Sequence, residues 1–167
     1  ISIVTRHKKG TKFILKLPLT LAIIEGILVK IGNGFFVIPL SNVIECLEFQ
    51  RTQSTKICSS INIRNEIIPY IDLRTFFEID DPLPTMEQII IVNDQDSRMG
   101  LVIDKVIGNY QTVIKPLGRL YKNTYGFSGA TILGNGSVAL ILDIYKLSHI
   151  VKNLEEANIS TLISKQA

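Results

Sequence analysis

Ile31-Gly32-Asn33-Gly34-Phe35-Phe36-Val37-Ile38-Pro39 sets an Asn-Gly pair between two apolar runs, and its reading decides the fold class. Both central residues of a type I′ turn need positive φ, which Asn and Gly adopt at least cost, so Asn33-Gly34 predicts a tight β-hairpin. Asn135-Gly136 predicts a second one ahead of the apolar run 138–142. Between them come further short bursts of Val, Ile, Leu and Phe at 61–63, 67–71, 89–92 and 99–103. Short apolar runs bounded by turn residues are the rhythm of an all-β protein. Their lack of strict alternation suits strands covered on both faces, as in a sheet that curls into a barrel. At the start of the chain, Ile1, Ile3, Phe13, Leu15 and Leu17 recur at period two and predict an antiparallel hairpin over 1–17.

Helix is expected only in short pieces. Asp72 can cap a segment over 73–78, and Asp143 one over 144–150, each carboxylate accepting from free backbone N–H groups. Pro82 and Pro84 mark 80–85 as a linker, because proline cannot donate to a ladder and restrains its neighbour. That linker is expected at the midpoint of a two-part architecture. Residues 152–167 form a polar tail with a weak helical pattern of Leu154, Ile159, Leu162 and Ile163.

Composition narrows the function classes. Of 167 residues, 46% are hydrophobic and 20% charged, which places the chain far from the disordered class. Eighteen basic against fifteen acidic residues give a net charge of +3, and no basic run exceeds Lys8-Lys9, so a nucleic-acid partner is not expected. Two cysteines, Cys46 and Cys58, lack metal-ligand spacing and are expected to be reduced, buried thiols of a cytoplasmic protein. Charges interrupt each apolar stretch well short of the ~20 residues that span a bilayer, and no signal-peptide pattern opens the chain. The missing initiating Met suggests a fragment.

No catalytic constellation emerges. His7 and His149 are the only histidines, and neither lies in the setting of a phospho-accepting residue. Lys8-Lys9-Gly10-Thr11 lacks the earlier glycine of a phosphate loop and leads into a strand, so no helix N-terminus would face a phosphate. Asp72, Asp104 and Asp143 could be imagined as an acid/base set, but capping and strand-end turns account for two of them, and nothing completes a catalytic constellation. Catalytic, cofactor and metal residues are therefore all expected to be absent. Glycines 126, 129, 134 and 136 suit turns and crowded strands.

Two groups of residues carry a family resemblance. Residues 10–23, Gly-Thr-Lys-Phe-Ile-Leu-Lys-Leu-Pro-Leu-Thr-Leu-Ala-Ile, resemble the closing strand of the ATP-binding domain of chemotaxis histidine kinases and its junction with the next domain. From Ile24 the chain resembles the CheW-like domain that ends those kinases, the CheA family. Gly34-Phe-Phe-Val-Ile-Pro39-Leu-Ser41, the block from Asn62-Ile-Arg64 to Pro69-Tyr-Ile-Asp72-Leu, and 126–143 carry the match. Asn65 stands where the family has Gly, and as a residue tolerant of left-handed backbone it is expected to preserve the turn. Lys8 stands where the kinase tail has the first Gly of Gly-X-Gly-Thr.

The resemblance implies two SH3-like β-barrels side by side. It divides the chain into an ATP-domain remnant at 1–22, a CheW-like domain at 23–150 and a tail at 151–167. It implies a docking role with the coupling protein CheW, chemoreceptor tips and the kinase's own ATP-binding domain as partners, receptor state being relayed through the junction at 19–24. A free-standing coupling protein is the alternative. Arg64 between Asn62 and Asn65 reads on the residues alone as a solvated turn arginine. The resemblance instead places Arg64, Val43 and Glu45 on the receptor-facing side of the first barrel.

Overall fold

The computed structural model describes residues 2–6, 10–14, 23–50, 57–94, 97–117 and 126–164. Strands β1 (Ser2–Arg6) and β2 (Gly10–Ile14) pair antiparallel, with Ile3 opposite Phe13, as the period-two pattern predicts. Leu15, Leu17 and the junction residues 19–22 lie outside the described residues.

The body consists of two five-stranded sheets. The first holds β3 (Ile23–Ile31), β4 (Gly34–Pro39), β10 (Lys105–Val113), β11 (Phe127–Ile132) and β12 (Val138–Leu142), in the order β10-β3-β4-β12-β11. The second holds β5 (Val43–Phe49), β6 (Cys58–Ile63), β7 (Glu66–Asp72), β8 (Glu87–Asp94) and β9 (Ser97–Ile103), in the order β5-β8-β9-β7-β6. A bridge from Lys115 to Ala130 brings the end of β10 back to β11. Two SH3-like barrels result, and the fold is all-β with few helices.

The unbroken apolar runs have a simple cause. In β8, Ile90 and Val92 face a core shared between the barrels, while Ile89 and Ile91 fill the second barrel. In β4, Phe36 and Ile38 face the shared core and Val37 fills the first barrel. Each strand thus buries both faces, so alternation is absent. Phe77 stacks between Phe36 and Phe127, with ring centroids at 5.4 and 4.9 Å. Helix α2 (Ile144–Ser164) adds Ile144, Leu147 and Val151 to the same core.

Several expectations need correction. The first hairpin turns at Gly32-Asn33, not Asn33-Gly34: Ile31 pairs with Gly34, and only Gly32 has positive φ, at 56°. Glycine at the first central position is what a type II′ turn requires. The 126–143 hairpin closes through a three-residue loop, Gly134-Asn135-Gly136, between Leu133 and Ser137, with Gly136 at φ 85°. Loops of that length place their left-handed residue last. A type I′ turn does occur, at Arg64-Asn65.

The linker 80–85 is irregular, but it does not separate the barrels. Strands β8 and β9 follow it and pair with β5 and β7, which precede it. Proline ends a strand locally and has no say in which ladder the next strand joins. Helix α1 (Leu73–Phe76) is shorter than expected, whereas α2 runs past residue 150 to Ser164, so the tail does not begin as a separate element at 151. Cys58 is buried as expected, but Cys46 is exposed on β5.

Candidate docking surface

Strands β6 and β7 pair through Ile63 and Glu66, which leaves Arg64 and Asn65 as the central residues of their turn. Their φ values are 51° and 67°. Asn tolerates this conformation, but for an arginine the left-handed region costs roughly 1–2 kcal/mol. The arginine is held there with its side chain 77% exposed, and its Nη2 donates to Oε2 of Glu45 at 2.8 Å. Glu45 lies on β5, the opposite edge of the same sheet. The ion pair therefore spans from the tip of one hairpin to the far edge strand. Val43 sits two residues away on β5, and the strand is irregular between Val43 and Glu45. The structure thus brings Arg64 and Glu45 into contact, whereas Val43, beyond that irregularity, packs against the core shared between the barrels.

The three aspartates do separate jobs. Asp72 caps α1, accepting from the backbone N–H groups of Arg74 and Thr75 and from the Thr75 hydroxyl. Asp143 caps α2 by accepting from the N–H of Lys146. Asp104 forms a buried pair with Arg74, a residue the sequence reading did not single out. Arg74 Nε donates to Asp104 Oδ1 at 2.7 Å and Nη2 to Oδ2 at 3.1 Å. Its remaining reach goes to the carbonyls of Asp81 and Pro82, at 2.6 and 2.9 Å. The hydrogen bond to Asp104 raises the Arg74 pKa above its ordinary value against the opposing effect of burial. Asp104 also accepts from the N–H of Gly32 at 2.7 Å, and Asp81 accepts from Asn33 through both N–H and Nδ2. One guanidinium thereby ties together α1, the 80–85 linker, the β3–β4 turn and the crossover from β9 to β10.

Among the described residues, no group of three or more His, Cys, Asp or Glu is placed to hold a metal ion, and no helix is long and apolar enough to cross a membrane. Cys46 is exposed on β5 but partly covered by its neighbours, and that partial burial raises its thiol pKa.

Residues 25–152 match the protein family described as CheW-like domain. The chain is 38% identical over 152 residues to the chemotaxis protein CheA of Treponema pallidum, covering 88% of this chain and 19% of that one. It is 34% identical over 160 residues to the sensor histidine kinase CheAY of Helicobacter pylori, covering 93% and 20%. It therefore spans about a fifth of the length of these curated relatives. The scaffolding protein TtCheW of Thermoanaerobacter tengcongensis superposes with a TM-score of 0.62 at 20% identity, over 72% of this chain and 88% of that one. That likeness is one of fold.

Proposed function

The chain belongs to the CheW-like domain family, and on that premise we propose that it is the regulatory docking domain of a chemotaxis histidine kinase. In this reading it binds the coupling protein and the cytoplasmic tips of chemoreceptors, and relays receptor state to the kinase's ATP-binding domain in the cytoplasm. Chemistry is left to other parts of the kinase. The relatives that support this reading over a free-standing coupling protein are CheA chains, and their similarity runs over 152 and 160 residues, more than the span 25–152. Residues 1–22 are then the end of the ATP-binding domain.

One observation carries the docking surface. Arg64 is kept in an unfavourable backbone conformation at an exposed turn, with its fork aimed by Glu45. Strain retained at a surface residue points to a role outside folding. A guanidinium already oriented by one carboxylate loses less freedom on meeting a partner, and its free donors suit bidentate contact with carbonyls or a second carboxylate. Titration of Arg64→Ala against a chemoreceptor cytoplasmic fragment should show binding weakened by about 1–2 kcal/mol. The melting temperature should stay near that of the wild type, since an exposed ion pair contributes at most about 1 kcal/mol. Unchanged affinity would return Arg64 to the role of a solvated turn residue.

A further inference from the structure

The buried network around Arg74 forms one wall of a cavity of about 500 Å³, within the range of small-molecule sites. It opens on the side of the molecule where β3 ends and β10 begins, whereas Val43 pairs with the far end of β8. Its apolar lining is Pro82, Pro84, Met86 and Val106, and its charged lining is Lys30, Arg74, Lys105, Asp81 and Asp104.

The charges in that lining are unevenly satisfied. Arg74 is neutralised by Asp104, and Asp81 is occupied by Asn33. Lys30 and Lys105 enter no ion pair among the described residues. They also stand directly opposite each other on antiparallel strands, an arrangement that like charges make unfavourable. The lining thus carries three cations against two carboxylates, a net charge of +1, and its two lysines, opposite each other across the ladder, have no ion-pair partner among the described residues, beside apolar walls.

We propose that this cavity is a binding site for a small organic anion, a carboxylate or phosphate group on an apolar body, held between Lys30 and Lys105 with its body against Pro82, Pro84 and Met86. An anion there relieves the repulsion between the lysines. Three of the segments that Arg74 ties together, the β3–β4 turn, the 80–85 linker and the β9–β10 crossover, line the same cavity. Occupancy therefore stabilises the arrangement of the two barrels, because a ligand that binds only the folded state raises its stability.

The test is thermal melting of the full chain with increasing glutarate in one arm and inorganic phosphate in the other, each matched in ionic strength with sodium chloride. The expected result is a saturable rise in melting temperature in at least one arm above the chloride control, and the arm that responds at lower concentration identifies the preferred head group. Lys30→Gln and Lys105→Gln should fold at least as stably as the wild type in anion-free buffer, because each removes a like-charge pair, yet should lose the response. Lys152→Gln, on α2, should keep it. A rise no larger than with chloride in both arms, or one that survives in both cavity variants, would overturn the proposal.

Discussion

At the scale of single residues, Arg64 and Cys46 carry the sharpest expectations. Arg64→Gly and Arg64→Ala both remove the ion pair to Glu45, but only glycine removes the cost of positive φ. The left-handed conformation costs other residues roughly 1–2 kcal/mol, while glycine's extra unfolded-state freedom returns roughly 0.5–1 kcal/mol of that. Arg64→Gly should therefore be the more stable of the two by about 0.5–1 kcal/mol in urea unfolding; equal midpoints would show that the turn stores no strain. For Cys46, a pKa raised by burial means a smaller thiolate fraction at every pH below it. Its alkylation by iodoacetamide should be slower at neutral pH than that of a free thiol, and its rate should climb at a higher pH than the usual thiol range. A rate profile centred on the ordinary thiol value would contradict this.

Between elements, the decisive feature is the bidentate pair of Arg74 and Asp104. Asp104→Asn leaves a buried guanidinium without its counter-charge, a change that costs about 3–5 kcal/mol in comparable sites; equilibrium urea unfolding should show a loss of that order, and one below 1 kcal/mol would mean the pair does not hold the crossover. Replacing both partners with apolar residues should cost less than Asp104→Asn alone. No part of this network was legible in the sequence, because Arg74 and Asp104 lie thirty residues apart and nothing local links them. What local chemistry governs was readable: the hairpins, the caps at Asp72 and Asp143, and the doubly covered strands. Turn registers slipped in the first hairpin because Gly32, outside the Asn-Gly pair, supplies the positive φ, and in the second because the loop takes in Gly134 and leaves only Gly136, its last residue, left-handed. The exposure of Cys46 was not readable, since β5 is an edge strand only by virtue of long-range pairing. The contact between Arg64 and Glu45 was not legible in any local pattern, for nineteen residues separate them in sequence.

Across the whole molecule, the two sheets follow one plan. Reading β10-β3-β4-β12-β11 and β5-β8-β9-β7-β6 in order, the pairings run antiparallel, antiparallel, parallel, antiparallel in both. Strand β7 leads into α1 from Asp72 as β12 leads into α2 from Asp143. The 80–85 linker is thus the boundary between two equivalent halves of chain, and each half gives strands to both barrels. Proteolytic cleavage within 80–85 should leave the two pieces together as one folded species on gel filtration, since neither holds a complete barrel; separation into two folded pieces would refute the interleaving. The same interleaving sets an order in time. The second barrel is written in one continuous stretch, from β5 to β9, and can close as soon as residue 103 has left the ribosome. Strands β3 and β4 emerge earlier but must wait for β12, about a hundred residues later, and such distant pairing is slow. The first strands of the body to be made are among the last to be sealed, and during that wait the exposed edge of β4 is where a nascent chain most needs protection from its neighbours.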